Sequence, residues 1–191
     1  MLNSRTLRAT ASVALCALVL GLAACSKSES STSTTAKAAK ETTTTNPYGA
    51  GVVDPPGPTD TVLTVTGPGG TKTFTLDQLK ALGTKDVTID EPFVKRTIAF
   101  TGVPMAAIFA TVGISGDVKV NTKALNDYSY DKSTAAEFVG SDGLIAVAQE
   151  GKPVPVDQGG PIRIIFPNGT KLAKNLDAWN WSLSEMSVKG S

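Results

Sequence analysis

The sequence predicts an α+β fold that is mostly β, with mixed sheets and short helices. Short runs that alternate apolar and polar residues recur along the chain, and glycine and proline turns separate them. The helical stretches are short and fewer than the strands. The chain has no repeats and lacks the strand–helix–strand alternation of a nucleotide-binding sheet. We therefore expect short strands to form most of the core.

The first half of the pattern begins with a hairpin. Residues 61–66 alternate at period two, the glycine- and proline-rich residues 67–70 are a turn, and residues 72–74 pair back. Thr75 and Gln78 form a capping-box pattern. This pattern predicts a helix that begins at residue 76 and ends at residue 82. The other elements predicted in this half are strands at 86–89 and 96–101 and a helix at 105–112, which begins after a proline and ends before a glycine.

Alternating strands recur in the second half of the chain. The predicted elements are strands at 118–121, 125–130 and 144–149, a helix at 133–139, and strands at 161–167 and 181–188. The strand at 161–167 is expected to be buried, yet Arg163 interrupts it. A buried guanidinium needs a partner. That partner is either a carboxylate such as Asp142 or Asp157, or the phosphate of a ligand.

Composition removes several classes of function. The 191 residues include no histidine and only two cysteines, which excludes catalytic triads and histidine-bound metals. The 18 basic and 17 acidic residues give a net charge of +1, far from the basic balance of a nucleic-acid binder. We therefore expect no nucleic-acid partner.

The chain is predicted to have three parts. Residues 1–24 have the positive start, apolar centre and small-residue end of an export signal. The run before Cys25 resembles the bacterial lipoprotein signal, in which the cysteine is acylated; the alternative is a plain signal peptide with an incidental cysteine. Residues 25–60, rich in Ser, Thr and Pro, are expected to be a disordered tether. Residues 61–191 are the folded domain.

This organisation predicts a location as well. Lipid on Cys25 would anchor the chain to the extracytoplasmic face of the cell membrane, so the membrane is its expected partner. Cys16 would leave with the signal. The mature chain would then have no free thiol.

Four segments in order carry a family resemblance. They are Gly102-Val103-Pro104, Asn126-Asp127-Tyr128, the turn at 148–153, and the run from Gly159 to Arg163. Together they resemble the molybdopterin-binding domain of the sulfite oxidase family, over about residues 63–188. The resemblance implies that family's fold, molybdopterin as the cofactor, and a redox or scaffold protein as a partner.

The resemblance also assigns site residues. It implies that Gly159, Gly160 and Arg163, with Lys171 and Lys174 of a glycine-containing segment, bind the cofactor near its phosphate. We expect the three basic side chains to converge on one cleft. The alternative is that the glycines only supply unusual backbone angles and that the lysines are solvated. Trp179 and Trp181 more often complete a core than stack on a cofactor.

The chain departs from the family at one point. Catalytic members bind molybdenum through a cysteine upstream of the Gly-Val-Pro turn, and residues 85–101 contain none; Thr88, Asp90 and Thr97 are the oxygen-bearing alternatives. The chain is more similar to the family's standalone branch without this cysteine. We therefore assign no catalytic residue and no metal ligand, and the missing thiol argues against an enzyme.

Three hypotheses remain open. The first is a non-catalytic lipoprotein that binds a partner or a pterin-like ligand. The second is a molybdopterin-dependent oxidoreductase subunit that a partner completes. The third is a β-rich surface lipoprotein unrelated to this family.

Overall fold

The computed structural model describes residues 55–188, which form two β-sheets and three short helices. The strands are β1 (Leu63–Gly67), β2 (Gly70–Phe74), β3 (Lys85–Glu91), β4 (Arg96–Pro104), β5 (Val120–Ala124), β6 (Ser129–Tyr130), β7 (Leu144–Gln149), β8 (Arg163–Ile165) and β9 (Leu183–Val188). The helices are α1 (Leu76–Lys80), α2 (Met105–Ala110) and α3 (Ala135–Gly140). The predicted fold class is confirmed.

The larger sheet is mixed. Its five strands lie in the order β2-β1-β9-β5-β6, and β1 runs parallel to β9 while the other neighbours are antiparallel. The last strand therefore pairs with the first, between the two hairpins. Along β1 buried residues alternate with half-buried ones, so one face of this sheet contributes to the core.

The smaller sheet is antiparallel, with four strands in the order β3-β4-β7-β8. Strand β8 is fully buried although it lies at the edge. The backbone N–H of Ile164 donates to the carbonyl of Asn180 at 2.9 Å, and that of Leu183 donates to the carbonyl of Ile162 at 3.0 Å. The segment before β9 therefore covers this edge and satisfies its backbone groups.

Capping fixes where two helices begin. The predicted capping box of Thr75 and Gln78 is present at α1, and Thr134 with Glu137 forms a second one at α3. Helix α1 ends before residue 82, because the last turn tightens to a 3.0 Å hydrogen bond from the N–H of Leu82 to the carbonyl of Leu79. The same tightening ends α2 before residue 112.

One predicted strand is shorter than expected. Residues 125–128 form a turn between β5 and β6, which leaves only Ser129–Tyr130 of the predicted 125–130 extended. Asp127 has a positive φ of 64°, and the N–H of Ala124 donates to the carbonyl of Tyr128 at 2.9 Å. The left-handed Asp127 closes a hairpin here, because Asp tolerates that conformation better than most residues.

The predicted signal segment 1–24 and Cys25 lie outside the described residues. Only residues 55–60 of the predicted tether are described, and there the N–H of Asp60 donates to the carbonyl of Gly57 at 3.1 Å. Within residues 55–188, no helix is long and apolar enough to cross a membrane.

Candidate functional site

A buried ion pair joins β3 and β8, the two edge strands of the smaller sheet. Nη2 of Arg163, on β8, lies 2.6 Å from Oε1 of Glu91, the last residue of β3. The Arg163 side chain is 1% exposed and the Glu91 side chain is 0% exposed. The sequence predicted either a carboxylate such as Asp142 or Asp157, or a ligand phosphate, as the partner of Arg163; the partner is a carboxylate, but Glu91 supplies it rather than either named aspartate.

The rest of the guanidinium is also enclosed. Nη1 of Arg163 donates to the backbone carbonyl of Gln158 at 2.9 Å. The guanidinium carbon lies 4.2 Å from the centroid of the Trp181 ring, which is a close cation–π contact. Arg163 is therefore held by a carboxylate, a carbonyl and an aromatic face.

The second carboxylate oxygen of Glu91 shapes the turn that follows β3. Oε2 accepts hydrogen bonds from the backbone N–H groups of Phe93 at 2.8 Å and Val94 at 2.7 Å. One buried carboxylate therefore neutralises Arg163 and fixes the turn that carries the Phe93 ring. Fully hydrogen-bonded carboxylates of this kind tolerate burial.

The two predicted glycines pack closely behind this site. Gly159 has a φ of +88°, and a Cβ at this residue would lie 2.8 Å from the Trp181 ring. A Cβ on Gly160 would lie 2.1 Å from the carbonyl oxygen of Val154. Close approach of backbone to the ring and to the carbonyl accounts for both glycines without a ligand.

An aromatic pocket opens beside the ion pair. Its volume is about 300 Å³, and its lining residues are Phe93, Asn126, Tyr128, Leu176, Asp177, Trp179, Trp181 and Ser182. The Phe93 ring lies 5.1 Å from the Trp181 ring and 6.3 Å from the Trp179 ring, at interplanar angles of 67° and 68°. Steeply inclined rings form walls of this pocket.

Charge in the pocket is negative. Among the described residues that line it, Asp177 is the one ionisable acid or base besides the neutral Tyr128. The Tyr128 hydroxyl donates to the Asp177 backbone carbonyl at 2.9 Å. Burial and, to a smaller extent, the Asp177 charge raise the pKa of Tyr128 above its usual value, so it stays protonated at neutral pH.

The two predicted lysines lie elsewhere. Lys171 is exposed, and its Nζ lies 2.6 Å from Oε1 of Glu137 on α3. Lys174 is exposed on the short 3₁₀ segment Leu172–Lys174. Neither of these lysines, nor Arg163, Gly159 or Gly160, lines the aromatic pocket. Their binding to a cofactor therefore stays a prediction.

Two of the three oxygen-bearing residues considered as metal ligands, Asp90 and Thr97, are engaged with protein groups. Oδ1 of Asp90 accepts from the Thr97 hydroxyl at 2.8 Å, and Oδ2 accepts from the Asn168 amide at 3.0 Å. No group of three or more Cys, Asp or Glu residues that would hold a metal ion occurs within residues 55–188.

The contacts of Arg163 do not fit a pterin phosphate. The resemblance assigns Arg163 to that phosphate, but Glu91 already compensates its charge at 2.6 Å and the side chain is 1% exposed. A dianionic phosphate would have to displace a buried carboxylate that also holds two turn N–H groups. The pocket that Trp181 lines, beside Arg163, contains an acid, Asp177.

The sequence reasoning missed Glu91 and Phe93. A signal for Glu91 was present, because it continues the period-two pattern of Ile89 on β3, which places a carboxylate on the buried face. Phe93 follows in a turn, where periodicity gives no information about side-chain direction.

Comparisons with known proteins agree with the fold. The crystal structure of the sulfane dehydrogenase SoxCD from Paracoccus pantotrophus is similar to this chain, with a TM-score of 0.57 and 14% sequence identity. The match covers 74% of this chain and 41% of that one, so this chain spans less than half the length of its structural neighbour. At this identity the likeness concerns the fold. No curated protein matches this chain.

The sequence also matches a protein family directly. The match to the oxidoreductase molybdopterin binding domain covers residues 51–187, which includes both sheets and the aromatic pocket. The hypothesis of an unrelated β-rich lipoprotein was therefore wrong. Because the match extends over most of the chain, the protein belongs to the oxidoreductase molybdopterin-binding domain family.

Proposed function

We propose that this protein is a non-catalytic member of its family, a lipid-anchored binding module on the extracytoplasmic face of the membrane. The observation that carries the proposal is the Glu91–Arg163 pair. This supports the proposal because the arginine that the family resemblance assigns to a cofactor phosphate is paired with a buried carboxylate and lies against the Trp181 ring of the aromatic pocket. The absence of cysteine from residues 26–191 removes the thiolate that molybdenum would need.

The test is the cofactor content of the purified full-length chain, produced in a host that synthesises molybdopterin. Molybdenum is measured by mass spectrometry, and pterin by fluorescence after oxidative release. We expect both at well below one equivalent per chain. Stoichiometric molybdenum and pterin would overturn the proposal. A preparation from a host that cannot make the cofactor sets the background.

A second candidate is an oxidoreductase subunit that a redox partner completes. The family match favours it, and the structural neighbour is itself named a dehydrogenase. Stoichiometric molybdenum and pterin in the purified chain would favour this second candidate over the first.

The membrane anchor rests on the sequence around Cys25 and is tested separately. We expect wild-type protein in the membrane fraction, with an N-terminal peptide whose mass includes the lipid. Cys25→Ala should abolish the modification, whereas Cys16→Ala, the matched control, should not. An unmodified Cys25 in mature wild-type protein would overturn this part of the proposal.

A further inference from the structure

The aromatic pocket is a feature of the described surface that the fold itself does not explain. Phe93, Tyr128 and Leu176 line it and are 40%, 43% and 48% exposed. Exposed large apolar side chains gathered at a concave site usually mark a binding surface. The pocket volume of about 300 Å³ admits a small organic molecule.

The shape of the pocket favours a compact ligand. Phe93 meets Trp179 and Trp181 at 68° and 67°, so the rings do not form one flat platform. A planar ligand can stack on only one of these inclined rings, whereas a roughly spherical group contacts several of them together. The ring arrangement therefore fits a small rounded group.

The electrostatics favour a positive charge on that group. Aromatic faces are electronegative, Asp177 adds a carboxylate, and no Lys or Arg of residues 55–188 lines the pocket. The guanidinium carbon of Arg163 lies 4.2 Å from the centroid of the Trp181 ring, but Glu91 at 2.6 Å compensates its charge. The exposed Lys132 approaches the carboxylate of Asp177, with its Nζ 3.9 Å from Oδ2. Two exposed side chains at that separation interact weakly.

The cost of removing water from the cation decides which kind of cation the pocket favours. A primary ammonium needs three hydrogen-bond acceptors, and a pocket walled largely by aromatic rings supplies few. A quaternary ammonium has no N–H groups to satisfy, and its methyl groups contact ring faces directly. We propose that the aromatic pocket binds a quaternary ammonium group, held by Phe93, Trp179, Trp181 and Tyr128 with Asp177 at its rim. This inference rests on the proposed function, since it supplies the ligand of the binding module.

The chain contains its own reporter for the test. Its only two tryptophans, Trp179 and Trp181, both line the pocket, so intrinsic fluorescence responds to a bound ligand. The full-length chain in a non-ionic detergent is titrated with choline chloride at constant ionic strength. The matched neutral probe is 3,3-dimethylbutan-1-ol, which replaces the charged nitrogen by carbon. We expect saturable choline binding and binding of the neutral probe at least about tenfold weaker.

Variants separate the ring and charge contributions. Phe93→Leu keeps apolar volume but removes the ring, so it should weaken choline binding about fivefold or more and leave the neutral probe nearly unchanged. Asp177→Asn should weaken choline binding, with an effect that shrinks as salt is added. Asp117→Asn, the same charge change at an exposed residue outside the pocket, should have no effect.

The outcomes distinguish this inference from the proposed function. Absent molybdenum and pterin with selective choline binding supports both. Absent molybdenum and pterin with equal affinity for choline and the neutral probe, or with no binding, overturns the quaternary ammonium site alone. Stoichiometric molybdenum and pterin together overturn the proposed function. Glycine betaine and glycerophosphocholine, compared as further probes, show whether the natural source is a free solute or a lipid headgroup.

Discussion

Two ion pairs in this protein have the same 2.6 Å separation but opposite surroundings. The Arg163–Glu91 pair has side chains 1% and 0% exposed, whereas the Lys171–Glu137 pair has side chains 73% and 29% exposed. Water screens the second pair and not the first, so equal distances correspond to very different energies. Both basic residues had been assigned to the same phosphate site from the sequence. The comparison indicates that the burial of an ion pair, and not the type of its basic residue, decides how strongly the stability of the fold depends on that pair.

The largest expected effect is at Glu91. Glu91→Gln leaves the Arg163 charge buried without compensation and places an amide N–H₂ group against N–H donors, so it should lower the free energy of unfolding by about 3–5 kcal/mol. Urea denaturation followed by tryptophan fluorescence measures this. The matched control is Glu150→Gln, which breaks a half-exposed pair with Arg96 at 3.6 Å and should cost less than about 1 kcal/mol.

A double variant keeps this prediction testable if the single one does not fold. Glu91→Leu with Arg163→Met replaces both charges by apolar side chains and should recover most of the lost stability. If the double variant loses as much free energy of unfolding as Glu91→Gln does, the ion pair is not the origin of the effect.

A smaller effect is expected at the turn that supports the buried pair. Gly159→Ala combines a positive φ of 88° with a Cβ only 2.8 Å from the Trp181 ring. The control Gly151→Ala has a similar φ of 73° and no atom within 4 Å of its Cβ. Backbone strain should cost about 1–2 kcal/mol in each, and displacement of Trp181 a further ~1–3 kcal/mol in Gly159→Ala alone.

Urea denaturation again gives the two stabilities, and the emission maximum of the native state reports the position of Trp181. We expect a shifted maximum for Gly159→Ala only. Equal stabilities and equal spectra for the two variants would show that Trp181 does not depend on this close approach.

The sequence predicted the elements well but not the contacts between them. Period-two runs and the capping box at Thr75 are local signals, and they located strands and helices to within a few residues. The partner of Arg163 lies 72 residues away. Its identity depends on the order β3-β4-β7-β8 and its register, which packing decides and a local pattern does not record. The turns that carry Phe93 and Tyr128 have no periodicity at all, so the pocket could not be predicted.

The smallest effect concerns the exposed pair, where the pKa is the more sensitive observable. The hydrogen bond from Lys171, followed by that from the Thr134 backbone N–H, lowers the pKa of Glu137. The hydrogen bond to Glu137 raises the pKa of Lys171. Lys171→Gln should therefore raise the pKa of Glu137, but not to its unperturbed value, since the Thr134 bond remains. Carboxyl NMR titration measures the change, and Lys72→Gln, at an exposed lysine of β2, is the control.

The pH dependence of stability has a definite sign at each side chain. A lowered Glu137 pKa stabilises the fold above the unfolded-state pKa of about 4.3, and this contribution is lost as the pH falls through the folded-state pKa. A raised Lys171 pKa stabilises below about pH 10.4, and its contribution is lost as the pH rises through the folded-state value. Lys171→Gln should therefore cost far less stability at neutral pH than Glu91→Gln, and less still in high salt. A cost near that of Glu91→Gln would contradict the distinction between the two pairs, because screening by water leaves the exposed lysine no comparable contribution.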